Sequence, residues 1–298
     1  MRILLTGANG QVGHALLERL ISIGEVVATT RSGLLDSGEP CERIDLDQIE
    51  ALQALINRVA PDVVVNAAAY TAVDRAEDEP ETAFRANAEV PQALAEACRL
   101  RNALLVHYST DYVFDGQANI PYREDDPTAP LGVYGASKLA GEQAIRESGC
   151  RHVIFRTAWV YGHHGSNFMR TMLRLAAQRD ELSVVADQIG TPTPAALIAE
   201  VTAQVLQHPS EVSGLWHLTA QGQTSWHGFA QAIFQQATRA GLLENQPRVL
   251  PITTAQYPTR ARRPAYSCLD TSAIRNTLGI ELPHWREALE RMLPVSHR

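Results

Sequence analysis

Three glycines at intervals of three residues, Gly7, Gly10 and Gly13, separate an apolar run at residues 2–5 from an amphipathic stretch. In Thr6-Gly7-Ala8-Asn9-Gly10-Gln11-Val12-Gly13 the chain has to turn from strand to helix with bare backbone on its surface. Such a turn aims a helix N-terminus, with its unpaired N–H groups and positive dipole end, at the space in front of it, which suits a pyrophosphate. It also commits the chain to βαβ winding, because this is how the first crossover of an open parallel sheet cradles a dinucleotide.

The rest of the first half obeys that constraint. Apolar runs at residues 26–30, 62–69, 104–109 and 153–158 alternate with helical patterns. Val63-Val64-Val65 is apolar without alternation, as expected of a strand covered on both faces. The expected fold is therefore α/β, a doubly wound parallel sheet of Rossmann type. Residues 1–160 form the dinucleotide-binding domain and residues 161–298 a smaller, mainly substrate-binding region, from which 215–219 returns to the main sheet. Pro80 opens a helix over 81–101, another runs over 135–148, and further helices fall near 167–179, 194–207, 225–240 and 285–293.

Composition narrows the partners. A formal charge of −7 over 298 residues argues against nucleic acid, and no apolar run reaches the length of a membrane span. Cys41, Cys98, Cys150 and Cys268 lie far apart without metal or disulfide spacing, so they read as reduced thiols of a cytoplasmic protein with no metal residues. The expected partner is a small molecule or another protein. Where an acid after the second strand would hold the ribose of NAD, the chain has Thr30-Arg31-Ser32, and Arg31 suits the 2′-phosphate of NADPH. Asp45 and Leu46, after a third short strand, are placed to meet adenine.

The reaction centre is marked by a lysine. Of 26 cationic Lys and Arg side chains, Lys138 is the one lysine, four residues after Tyr134, so the two share a helix face. An ammonium about 5 Å from a phenol at an effective dielectric of 20 contributes about 3 kcal/mol, or about 2 units of pKa. Tyr134 is thus expected to be tuned toward acid–base work by Lys138, with Thr110, at the end of the fifth strand, sharing the substrate oxygen. His107 reads as a satisfied strand histidine, His163-His164 as loop, and Asp74, Glu77 and Asp78 as the acidic first turns of a helix.

These blocks resemble the extended short-chain dehydrogenases/reductases nearly end to end. The resemblance rests on residues 6–13, Asn66-Ala67-Ala68-Ala69-Tyr70-Thr71-Ala72-Val73-Asp74, His107-Tyr108-Ser109-Thr110-Asp111-Tyr112-Val113-Phe114, Tyr134-Gly135-Ala136-Ser137-Lys138, Phe155-Arg156-Thr157-Ala158-Trp159-Val160-Tyr161 and Tyr257-Pro258-Thr259-Arg260-Ala261-Arg262-Arg263-Pro264. It implies reduction of the C4 ketone of dTDP-4-dehydro-β-L-rhamnose to dTDP-β-L-rhamnose for cell-surface polysaccharide. Tyr134 would be the general acid, Lys138 its tuner and a cofactor ligand, and Thr110 its assistant; Thr110, Asp111 and Trp159 would line the sugar site.

Gly10, Gln11, Val12, Asp45, Leu46, Ala69, Tyr70, Thr71 and Tyr108 carry over as cofactor neighbours. Arg31 departs from the acid that some members have, which argues against strict use of NADH; NADPH is expected, with NADH possible. Magnesium and homodimers occur among the members, but Ala15 stands where a carboxylate would support the metal, so no site is assigned. A diphosphate needs guanidinium partners, for which Arg260, Arg262 and Arg263 are the candidates. Other readings are another nucleotide-sugar ketoreductase, an epimerase, or a non-catalytic nucleotide-binding subunit.

Overall fold

The structure is a computed structural model and describes residues 1–46, 48–208 and 211–294. Val63, Val64 and Val65 show why its sheet lies inside the molecule. Neighbouring side chains on a strand point to opposite faces, and all three valines are buried. Val63 and Val65 join Ile3, Leu5, Val106, Val153 and Phe155 in one apolar layer, and Val64 joins Leu4, Leu105 and Ile154 in the other. Removing each such side chain from water stabilises by about 1.5–3 kcal/mol, which demands helices on both faces.

The strands of the first half are β1 (Arg2–Thr6), β2 (Glu25–Thr30), β3 (Glu42–Arg43), β4 (Val63–Asn66), β5 (Leu104–Thr110) and β6 (His152–Thr157). Later come β7 (Val160–Tyr161), β8 (Glu181–Val185), β9 (Ile189–Gly190), β10 (Thr193–Pro194) and β11 (Gly214–His217). The main sheet has the order β11-β6-β5-β4-β1-β2-β3, with every pair parallel. The chain winds outward from β1 to β3 and then crosses back to β4, so the order reverses between β1 and β4. A crevice opens there at the carboxyl ends of the strands. The apolar run at 62–69 leaves the sheet earlier than its composition suggests: β4 ends at Asn66, level with the last residue of β1, and 67–69 turn out along the crevice.

The helices are α1 (Gln11–Leu20), α2 (Ile49–Val59), α3 (Val73–Ala76), α4 (Pro80–Phe84), α5 (Val90–Arg101), α6 (Val133–Glu147), α7 (Phe168–Ala176), α8 (Ala195–Leu206) and α9 (Trp226–Arg239). The helix expected over 81–101 is interrupted by a π turn at Arg85–Glu89. Pro91 has no N–H to return to the carbonyl of Asn87, and a widened turn absorbs the loss. Gly141 of α6 packs at that carbonyl so closely that a Cβ would collide with it. From the carboxy-terminal half, α8 packs against α1, and the Tyr108 hydroxyl of β5 meets Thr202 Oγ1 of α8 at 2.9 Å.

One buried ion pair anchors α6 to the sheet. Arg156 of β6 gives Nε to Glu142 Oε1 at 3.0 Å and Nη2 to Oε2 at 2.7 Å, and both side chains are buried. Breaking such a pair from one side leaves an uncompensated charge, whereas replacing both partners does not. Glu142→Leu is expected to lose about 3–5 kcal/mol in urea unfolding, and the double change Glu142→Leu/Arg156→Met to recover most of it. Equal losses in the two proteins would show that the stranded charge is not the cause.

Candidate active site

The glycine turn is built by close approach. Gly7 has φ of 70°, and a Cβ on it would stand 2.7 Å from the Ala68 amide nitrogen; one on Gly13 would overlap the Gly7 carbonyl oxygen. Gly13 therefore acts in packing, by letting α1 start directly under β1, and is not among the residues that face the cleft. Gly10 is the N-cap of α1 without a side-chain cap, and the first turn contains no acid. Its leading N–H groups face the crevice with the dipole uncompensated, which fits a pyrophosphate.

In front of the turn lies a cleft of about 640 Å³. Gly10, Gln11 and Val12 line it from the turn, Ala69 and Thr71 from beyond β4, and Tyr108, Thr110 and Asp111 from the end of β5. Tyr134 and Lys138 reach it from α6, and Trp159 from beyond β6. A second hollow of about 220 Å³ adjoins it through Ala68 and Ala69 and holds Gly7, Arg31, Asp45 and Leu46. Tyr70 lines neither hollow: its hydroxyl donates to Glu79 Oε2 at 2.7 Å, and its backbone is held on both sides by the Asn87 amide.

At the floor, Thr110 Oγ1 donates to Asp111 Oδ1 at 3.0 Å and hydrogen-bonds the Tyr134 phenol. Burial pushes the phenol up to about 12, with the Thr110 bond pulling the other way. Burial likewise pushes the Lys138 ammonium down to about 8, opposed by Glu142. The expected lowering of Tyr134 by Lys138 is thus not what this arrangement produces. Lost hydration is the leading cause for the phenol, with the Asp111 charge adding to it, and Lys138 Nζ meets His107 Nε2 at 3.3 Å. Asp111, 2% exposed, is pushed up to about 6 by burial despite hydrogen bonds from Ser267 and Thr110.

The three arginines of the tail do not line the cleft. Arg263 grips Asp74 with two bonds of 3.1 and 2.7 Å, and Arg260 pairs with Asp78. Glu77 accepts from the Val133 N–H at 2.8 Å, so Asp74, Glu77 and Asp78 serve as tethers between segments more than as helix-start acids. Arg262 is exposed beside the small hollow behind Tyr134.

Several residues of the site carry no plain sequence signal. Trp226, from α9, stacks flat on Trp159 with ring centroids 3.5 Å apart, and Trp159 itself has φ of 47°. That conformation costs on the order of 1–3 kcal/mol and persists because the surroundings hold it. Asn167 donates to Gln11 Oε1 at 3.0 Å, and His164, which stacks on His14, meets the Asn9 carbonyl at 2.9 Å. The 162–167 loop is thereby clasped over the glycine turn. Among the described residues no three His, Cys, Asp or Glu side chains converge as for a metal, and no helix is long and apolar enough to cross a membrane.

A glycine turn at the reversal of a parallel sheet, facing a tyrosine and lysine one helical turn apart, defines an oxidoreductase of the extended short-chain dehydrogenase/reductase class. The family model described as RmlD substrate binding domain matches residues 1–297. The chain is 47% identical to dTDP-4-dehydrorhamnose reductase of Burkholderia thailandensis over 97% of each chain. It is 43% identical to that of Escherichia coli K12, covering 98% of this chain and 97% of that one. The crystal structure of dTDP-4-dehydrorhamnose reductase from Bacillus anthracis in complex with NADP superposes with a TM-score of 0.89, at 37% identity over 98% of each chain. The chain belongs to the dTDP-4-dehydrorhamnose reductase family.

The buried Asp111 gives a pH signature. Its folded pKa, about 6, lies above the ordinary 3.8, so its stability contribution is complete below the unfolded value and is lost as pH rises through the folded one. Relative to the parent, Asp111→Asn is expected to gain stability between about pH 4 and 6.5 and to level off above, by on the order of 1–3 kcal/mol. Melting temperatures of both proteins across that range measure it; a pH-independent difference would contradict it.

Proposed function

We propose that the protein reduces the C4 ketone of dTDP-4-dehydro-β-L-rhamnose to dTDP-β-L-rhamnose in the cytosol, with NADPH preferred and NADH accepted. The observation that carries the reading is the meeting of Tyr134, Thr110 and Lys138 in the same cleft as the glycine turn. A reduced nicotinamide bound there supplies the hydride. The protein's own task is to place the ketone, polarise its oxygen and deliver one proton to it.

Tyr134 is the general acid. A phenol held near 12 is a weak acid toward water but still far stronger than a secondary alcohol, so transfer to the developing alkoxide runs downhill. The Thr110 hydroxyl, turned from Asp111 Oδ1, donates its single proton to the same oxygen, and the Lys138 ammonium, when present, stabilises the phenolate left behind before solvent returns its proton. Trp159, backed by Trp226, offers the sugar a flat wall, and Asp111 offers it an acceptor. Arg31 at the adenosine end faces a 2′-phosphate, with Asp45 and Leu46 at the base. Residues 1–160 take the cofactor and 161–298 mainly the sugar nucleotide. Of the tail arginines, Arg262 is left for the diphosphate, while Arg260 and Arg263 hold the segment that carries it.

Mixing the protein with NADPH and dTDP-4-dehydrorhamnose should give net cofactor oxidation matched by dTDP-rhamnose, which an epimerase cycle would not. No turnover by folded protein would sink the assignment. Tyr134→Phe should still bind NADPH and lose about 10²–10⁴-fold in kcat. Arg31→Asp should move the NADPH-to-NADH ratio of kcat/KM toward NADH by about tenfold or more, through lost pairing and added repulsion; an unmoved ratio would remove Arg31 from cofactor choice.

A further inference from the structure

His107 is a buried titratable group of the centre that the reduction leaves without a task. His107 sits on β5 three residues before Thr110 and is fully buried. Its Nε2 stands 3.3 Å from Lys138 Nζ, and its Nδ1 stands 3.1 Å from Asn66 Nδ2. Asn66 Oδ1 in turn accepts from Thr6 Oγ1 at 2.7 Å. Four side chains, from α6, β5, β4 and β1, thus form one continuous polar chain across the carboxyl edge of the sheet. Each member is buried, so every donor in the chain has to meet an acceptor.

We propose that His107 is a positioning residue of the reaction: its Nε2 accepts one proton of the Lys138 ammonium and so sets the direction in which that charge faces the cleft. An ammonium has three donors and no lone pair, so charged Lys138 admits a single polarity of the chain. Nζ–H donates to Nε2, Nδ1–H to the amide oxygen of Asn66, and the amide N–H to the Thr6 hydroxyl oxygen. In the reverse polarity Thr6 donates to Oδ1, Nδ2 to Nδ1, and Nε2–H to the lysine, which must then be an uncharged amine. A half-turn of the Asn66 amide and a change of imidazole tautomer interconvert the two. The amide as it stands, with Oδ1 toward Thr6, belongs to the second polarity, so charging Lys138 calls for that half-turn of the amide. The bond from the ammonium is charge-assisted and therefore the stronger, and the chain favours the charged form.

The other charges nearby do not replace this contact. Glu142, on the same helix as Lys138, is shared with Arg156 of β6. Tyr134 from α6, with Tyr112 and Asp111 from beyond β5, lines the cleft side. Among the described residues the hydrogen-bond partner of Nζ is His107. His107 itself stays neutral, because burial and the adjacent ammonium both hold it well below its ordinary range.

The inference rests on the proposed reduction, but its test does not need substrate. Lys138 is the one lysine in the chain, so isotope-labelled lysine gives a single side-chain resonance whose titration is the pKa of Lys138. His107→Asn keeps a polar atom near the Nδ1 position and loses the Nε2 acceptor; His107→Gln keeps an acceptor near Nε2. The Asn variant is expected to titrate lower than the parent by about one unit or more, with the alkaline limb of kcat/KM moving alike, and the Gln variant to restore most of the shift. An Asn variant with the parental titration, or a Gln variant no different from Asn, would overturn the proposal. Should the Asn variant not fold, nitrogen NMR of the unaltered protein decides: His107 is expected to carry its proton on Nδ1 while Lys138 is charged, and a proton on Nε2 in that range would overturn the idea. Absent turnover of the parent would count against the reduction alone.

Discussion

The approach of α1 to β1, so close that the Gly7 carbonyl occupies the place of any Gly13 side chain, is the constraint on which the rest depends. It brings the bare N-terminus of α1 to the reversal point between β1 and β4, and so decides where the crevice has its positive end. Because all pairs in the sheet are parallel, Thr6, Asn66, His107 and Thr110 arrive on the same edge from strands far apart in sequence. The chemistry is assembled by that edge, and α6 adds Tyr134 and Lys138 from one side.

Desolvation, more than attraction between charges, sets the proton affinities at this edge. Tyr134, Lys138 and Asp111 are all displaced toward their neutral forms, with burial as the leading cause in each case. An isolated phenol–ammonium pair would have been pulled the other way. The carboxyl–guanidinium pair of Glu142 and Arg156 fixes α6 to the sheet, while Lys138, one turn earlier, is left with a neutral imidazole. The same helix thereby carries one partner of a structural charge pair and the ammonium that lines the cleft.

The winding and the glycine turn were legible in the sequence because they depend on local pattern: apolar runs too continuous for a one-sided strand, and glycines where only backbone fits. Tyr134, Lys138 and Thr110 were legible as types of side chain at a spacing. What could not be read was contact between segments remote in the chain. Arg263 and Asp74 are 189 residues apart, and nothing local distinguishes a guanidinium that meets a carboxylate from one that meets a phosphate. Trp226 reaches Trp159 from α9 for the same reason, and the π turn at 85–89 reflects Pro91 acting on the carbonyl of Asn87 together with the packing of Gly141.

The solitary lysine acquires a physical reason from its surroundings. A guanidinium spreads its charge over a planar fork with five donors and does not give up a proton near neutrality. At position 138 such a fork would have to satisfy every donor in a buried space whose observed partner for Nζ is a single imidazole nitrogen. The reverse polarity of the Thr6–Asn66–His107 chain would also be closed to it, since that polarity needs a lone pair on the cation's nitrogen. Arginine serves elsewhere in this chain, where the charge pairs with carboxylates such as Glu42, Asp74 and Glu142. Beside His107, in the cleft that Tyr134 also lines, the charge has to be compact and, at about 8, within reach of being lost.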